Sequence, residues 1–354
     1  MGSRSLEATN TGTENTASGF RALLTNTTGS LNVAYGSGAL QLNTTGSNNS
    51  AFGKDALYSN TTASNNTAVG YQSLYANTTG TQQVAIGRQA MYSTTTGSQN
   101  TAVGQRALYD NSTGASNVAL GYSALENNTT ANNNTAVGYQ ALHTSTTASE
   151  NNAFGKGSLQ NATTGGDNSA FGVHTLHANT TGSANVAMGH YALDANTTGA
   201  NNVGIGSGAL GANTTASSNT AVGYQALYDN TTGQNNTIVG RSAGANLTTA
   251  NNNTFIGKGA GETVTTGAKN TIVGLFNGNQ DGLDIRTSSN NIVLSDGDGN
   301  PRAYFRDSSS NRWNFEAPDN GLYSLIIRPT TSGANPNGLF VYYQNTAPDD
   351  ANGR

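Results

Sequence analysis

The sequence predicts an all-β chain: a parallel β-solenoid, or β-roll, of sixteen 17-residue coils followed by a small antiparallel β domain. Three observations carry this expectation. Glycine recurs every 17 residues from Gly19 to Gly274, with no insertion or deletion. The same apolar, asparagine and threonine positions return around each of these glycines. After Asn279 the period stops, and short strand-like runs take its place. A short fixed period means stacked supersecondary units, each burying its apolar side against the next. Seventeen residues are too few for a helical hairpin and suit two or three short strands joined by turns. The chain therefore divides into an N-terminal tail or cap (1–14), a repeat shaft (15–286) and a C-terminal β meander (287–354).

Composition sets the outer limits. Of the 354 residues, 34% are hydrophobic and 10% charged, a balance that suggests disorder when read without the period. A disordered chain has no reason to hold a register, so the period decides. There is no cysteine, which removes disulfides and thiolate metal sites. A net charge of −4 gives no electrostatic case for nucleic acid. No apolar run approaches the length needed for membrane insertion, and Met1–Glu7 does not resemble a secretory signal.

Within a coil, positions are counted from the glycine as zero. Position −4 is Asn in fifteen of the sixteen coils, with Gln83 the exception. Stacked at one coil per strand spacing, Asn66, Asn100, Asn117, Asn134 and Asn219 belong to one column whose amides hydrogen-bond along the stack as a ladder. Position −1 is apolar almost throughout, as at Val69, Ile86, Val103, Val137 and Val222. Strand side chains alternate faces, so −3 and −1 share one face and −2, usually Ala, takes the other.

The late coils indicate which positions touch. At −2 they enlarge to Ile238, Phe255 and Ile272, while at +4 Leu gives way to Gly244, Gly261 and Gly278. Such an exchange conserves volume only if −2 and +4 share one cavity. They are expected to fill the inside of the coil. The −3/−1 face then needs a cover, and a second copy of the chain is expected to supply it, the alternative being a monomeric solenoid closed by a loop of its own. Val69, Ile86, Val103, Val137 and Val222 are thus candidate residues of an interface between copies.

After Leu comes the turn, Asn-Thr-Thr-Gly in its commonest form, with Thr at +9 in fifteen coils and Gly or Ala at +10. The glycine suits a turn with positive φ. Many of these segments match the Asn-x-Ser/Thr glycan-acceptor pattern, but turn chemistry explains them without it. Four consecutive coils carry Tyr at +5: Tyr58, Tyr75, Tyr92 and Tyr109. They form one aromatic column, a candidate carbohydrate-binding stripe as well as a structural ladder. His143 and His177 share that column two coils apart, and with His174 and His190 they are better read as solvated or packed imidazoles than as ligands. No catalytic set and no cofactor motif stands out, so an enzyme is not expected.

Beyond the repeat, NIVLS (291–295), RAYFR (302–306), RWNFE (312–316), LYSLIIR (322–328) and LFVYY (339–343) read as strands of a meander. Between the first two, DGDGN (296–300) mimics a calcium loop with Asp307 at its twelfth place, but Pro301 stands where such a loop needs Gly. A hairpin turn is the better reading.

The NTAVG…AL…NTTG coil, with VAIG at 84–87, resembles the head repeats of trimeric autotransporter adhesins. NNIVLSDGDGNPRAYFR and GLFVYYQNTAPDDANGR resemble segments of phage tail-fibre proteins. The first resemblance implies a left-handed parallel β-roll and a homotrimer. The second implies a virion tail fibre outside the cell, with other tail proteins and a host-surface glycan or protein receptor as partners. A bacterial surface adhesin is the alternative. An ice-binding solenoid is a weaker one, because the paired Thr at +8 and +9 point to opposite sides.

Overall fold

The computed structural model describes residues 2–8, 11–306 and 312–315. It is all-β. Sixteen three-residue strands, from β1 (Thr16–Ser18) to β16 (Thr271–Val273), pair in parallel, consecutive strands meeting at a 17-residue offset. No helix among the described residues is long and apolar enough to cross a membrane.

Each coil holds one short strand, not the two or three expected. The reason is backbone conformation. Residues at −5, +2 and +4 have positive φ in coil after coil, as at Asn65, Gln72 and Leu74, and the chain bends there. Neighbouring coils remain hydrogen-bonded outside the strand: the Leu40 and Leu42 amides donate to Ala56 and Tyr58 of the next coil, while Gly36 and Gly38 donate to Ser18 and Phe20 of the previous one. The anchor glycine is required at its position. Its φ lies between +115° and +141°, and a Cβ there would strike the carbonyl of the next anchor glycine.

Alternation follows the expectation. Ala at −2 and Leu at +4 are fully buried along the stack, joined by a third column, usually Ala, at +3. The leucines at +4 sit at φ of 50–55°. A left-handed non-glycine residue costs about 1–2 kcal/mol. Burying its side chain returns about 1.5–3 kcal/mol, so the strained leucine persists. In the late coils Gly244 and Gly261 occupy this position, and a Cβ on Gly261 would run into the Phe255 ring. Positions −2 and +4 do share one cavity. Leu247 and Val264, fully buried at +7, complete the exchange.

Elsewhere +7 is usually Asn, and this column is a second ladder that sequence reasoning missed. Asn43, Asn60, Asn196 and Asn213 are fully buried, and each donates from Nδ2 to the Oδ1 of the Asn 17 residues before it, at 2.7–2.8 Å. The expected ladder at −4 is present too. Asn66, Asn100, Asn117, Asn134 and Asn219 are fully buried. There the backbone amides of Asn117, Asn134 and Asn219 reach the preceding Oδ1 at 2.9–3.0 Å. Both ladders converge on the carbonyl of position +10. Gly46 O accepts from Asn32 Nδ2 and from Asn43 Nδ2, each at 2.9 Å. Glycine at +10 does not have positive φ, contrary to expectation. It is there for close approach: a Cβ on Gly46 would meet the Ala63 carbonyl and Asn43 Oδ1.

The repeat extends further at both ends than the period suggests. Gly2, Leu6, Thr11 and Gly12 already fall in register, and Leu6 donates its amide to Ala22 with a φ of 51°. Residues 2–8 therefore hydrogen-bond in register onto the first coil. At the other end β19 (Ile292–Ser295) opens the expected antiparallel meander and also continues the solenoid. It pairs in parallel with β16 at a 21-residue offset, and Asn291 continues the −4 ladder onto Asn270 Oδ1 at 2.9 Å. The extra length of that coil holds the small antiparallel pair β17 (Asn279–Gln280) and β18 (Leu283–Asp284). Antiparallel β20 (Pro301–Arg306) and β21 (Arg312–Phe315) then extend the sheet from β19. The expected strands at 322–328 and 339–343 lie outside the described residues.

Where the ladder neighbour does not donate, an acceptor is orphaned. Asn77, Asn128 and Asn230 have buried Oδ1 atoms without a partner, and the residues above them are Thr94, Ser145 and Leu247. Thr94→Asn should supply the missing donor and stabilise the chain by about 1 kcal/mol. Conversely, Asn213→Ala leaves Asn196 Oδ1 unpaired and should cost about 1–3 kcal/mol. Thermal melts read both. Ala136→Phe should overpack its coil by about 1–3 kcal/mol. Adding Leu142→Gly should recover part of the loss, seen as a double mutant that melts above Ala136→Phe alone.

Candidate functional site

The −1 column runs along the surface of the described coils. It leaves an apolar side chain projecting from strand after strand: Tyr35 is 61% exposed, Ile86 39% and Leu294 44%. Val69, Val103, Val137 and Val222 belong to the same column and are half-buried. Phe154 and Phe171 stack on one another within it, with ring centroids 4.9 Å apart. The column is a continuous line of exposed apolar surface along the described coils.

The tyrosine column forms as the spacing predicts. Tyr58, Tyr75, Tyr92 and Tyr109 stack at centroid separations of 5.1–5.2 Å, with planes within 14° of parallel. Burial, then the neighbouring phenols Tyr58 and Tyr92, push the Tyr75 hydroxyl above its usual pKa. The geometry bears on sugar binding. Each inner ring has both faces against other rings, and Arg106 lies over the Tyr109 ring at 4.5 Å. The column presents edges and hydroxyls to solvent.

Threonines at +8 and +9 differ in role. The +8 hydroxyls donate to the backbone of the next coil, as Thr44 Oγ1 does to Thr61 O at 2.9 Å. Thr62, Thr79 and Thr96 at +9 are exposed, leaving one free threonine rank and not two. Asparagines of the Asn-Thr-Thr turns, such as Asn60 and Asn196, have their amide nitrogens buried and bonded inside the coil, which closes them to glycan attachment.

Charged groups are sparse. Glu126, almost fully buried at +5, is held by Arg106 at 2.7 Å with His143 Nε2 3.4 Å away. His174 packs edge-on to His177 and flat on Tyr191, and burial pushes its pKa down. No group of three or more metal-ligating side chains occurs among the described residues.

DGDGN forms the β19–β20 turn. Asp296 Oδ1 accepts from the Asp298 and Asn300 amides, and Oδ2 from Arg302 Nε and Nη2 at 2.8 and 2.5 Å. Asp307 lies outside the described residues. Desolvation pushes the Asp296 carboxyl up, but the donors from Arg302, Asn300 and the turn backbone outweigh it and hold it at about 2. A two-toothed pair with Arg286 likewise holds Asp284 at about 2.

Comparison of the chain with protein-family models, with curated proteins and with solved structures returns no match.

Both carboxyls titrate below the ordinary 3.8, so their contribution is complete above that pH and is lost as the pH falls toward about 2. In acid the 279–306 segment should loosen before the uncharged asparagine ladders do. Amide exchange across that pH range should rise first around β17–β20, and Asp296→Asn should flatten the step.

Proposed function

We propose that the chain is the rigid shaft of an extracellular attachment fibre, a homotrimer of parallel copies joined through the −1 column. One observation carries this reading: an apolar side chain stands outward on nearly every strand from Tyr35 to Leu294. Inside each coil, one Leu, two Ala and two Asn leave little apolar area, so the exposed column is the available source of further burial. Sixteen stacked strands at about 4.8 Å give a spacer of roughly 70 Å, a length suited to reach and not to catalysis. Resemblance of 290–306 and 338–354 to tail-fibre segments makes a phage tail the favoured setting, with a host-surface receptor and other tail proteins as partners. Within such a shaft, Tyr58, Tyr75, Tyr92 and Tyr109 chiefly rigidify the stack and offer glycans only edges and hydroxyls.

Light scattering tests the assembly. The wild-type chain should give three times the monomer mass. Val137→Asp with Val222→Asp should place charges in an apolar contact and lower that mass. A folded wild-type monomer would overturn the proposal.

A further inference from the structure

One coil departs from all the others on its outer surface. Coil 206 carries Ser207 at +1, Gly208 at +2 and Gly211 at +5, three small residues where neighbouring coils place aromatic, charged or amide side chains. A whole layer of side chains is therefore missing, and a notch of about 350 Å³ opens there. That volume lies in the range of small-molecule sites.

The walls come from the coils on either side. Tyr191 forms one wall; His174 stacks on one of its faces at 5.6 Å, so the ring is held in place. Tyr224 and Tyr228 form the other wall. Tyr228 leans over the two glycines, its Cε2 lying only 2.7 Å from where a Gly211 Cβ would be. The +5 residues 17 away from Tyr228 on either side are Gly211 and Ala245, so no ladder of rings covers it as in the 58–109 column. Two polar groups complete the lining, the Gln225 amide and the Asp194 carboxyl.

Asp194 is the second, independent observation. Its Oδ1 is buried and has no hydrogen-bond partner. Burial pushes this carboxyl above its usual range, against the opposing influence of His177, His174 and His190. The carboxyl nevertheless lines the notch, and a ligand hydroxyl in the notch would donate to its accessible side and not to the enclosed Oδ1. His190 also packs against Tyr191, tilted at 4.0 Å, so the exposed parts of the tyrosine rings line the notch beside a carboxylate and an amide. That combination matches a sugar ring: apolar C–H groups against the rings, vicinal hydroxyls on the polar pair. Arg241, which lies 5.9 Å over Tyr224, puts a fixed positive charge beside the notch and disfavours a cation there.

We infer that the notch between Tyr191 and Tyr228 is a binding site for a single neutral pyranose, with Asp194 and Gln225 receiving its hydroxyls. This deepens the attachment reading and rests on it for its biological setting, but the site lies within one chain and does not need the trimer.

The test uses the full chain with glucose, galactose, mannose and N-acetylglucosamine as probes, read by saturation-transfer NMR. Assembly is followed separately by light scattering, so that loss of the notch and loss of the shaft reading are told apart. At least one sugar should receive saturation from wild type. Gly211→Tyr fills the missing layer with the residue that Tyr58 and Tyr109 already place at +5, displacing Tyr228 from over the glycine, and should weaken binding at least about tenfold while circular dichroism shows the chain still folded. Asp194→Asn should weaken it several-fold, and Tyr58→Ala should leave it unaltered. Absence of transfer to all four sugars would overturn the inference. So would binding that survives Gly211→Tyr, or a notch that takes tetramethylammonium in preference to sugar.

Discussion

The carbonyl at position +10 is the point on which each coil closes. Two asparagine side chains from opposite ends of the coil, such as Asn32 and Asn43, donate to one oxygen, Gly46 O. Each of these asparagines also belongs to a ladder that runs along the stack. The closure is thus tied to the register: a coil one residue longer or shorter would break both ladders and leave buried amides unpaired. An unsatisfied buried polar group costs about 1–3 kcal/mol, and a misregister would create several at once. Unbroken spacing from Gly19 to Gly274 follows from that cost. The single longer coil is accommodated by looping its extra residues out through β17 and β18 while Asn291 keeps its place on Asn270.

The same constraint limits the core. Two interior columns given over to asparagine leave room for Leu and Ala but for few larger side chains. Where the +7 ladder lapses, at Leu247 and Val264, the interior is free to take Ile238 and Phe255. Elsewhere the coil gains little apolar burial of its own, and the hydrophobic residues of the strand face outward instead. Polar closure inside and an apolar column outside are two consequences of one arrangement.

Much of this was legible in the residues. The period, the −4 ladder and the shared −2/+4 cavity follow from column-by-column comparison, and the glycines opposite Ile238 and Phe255 are sufficient evidence for contact. The second ladder was hidden because Asn-Thr-Thr-Gly is also a good turn sequence, and turn chemistry accounted for every residue in it. Its signal was present in the lapse at Leu247 and Val264, which coincides with Gly244 and Gly261. Strand number was not legible at all, because Gln72 and Leu74 give no hint of positive φ; the stacked hydrogen bonds impose it. The parallel pairing of β19 with β16 was not legible because a strict period cannot register a 21-residue step, whereas its antiparallel pairing with β20 was. The notch at coil 206 is a pattern of absences, which becomes visible only when the walls are known to stand on either side.

Whether copies cover the −1 column can be read on the unaltered protein by hydroxyl-radical footprinting. In a single chain Met188 is 44% exposed at −1, and Tyr139 and Tyr224 are each 48% exposed at +1. If the column is an interface, Met188 and Phe154 should be modified far more slowly than free-peptide reactivity allows, while Tyr139 and Tyr224 react at the rate of exposed rings. Dilution that dissociates the assembly should abolish the protection. Modification of Met188 and Phe154 as rapid as their single-chain exposure implies, at every concentration, would contradict the account.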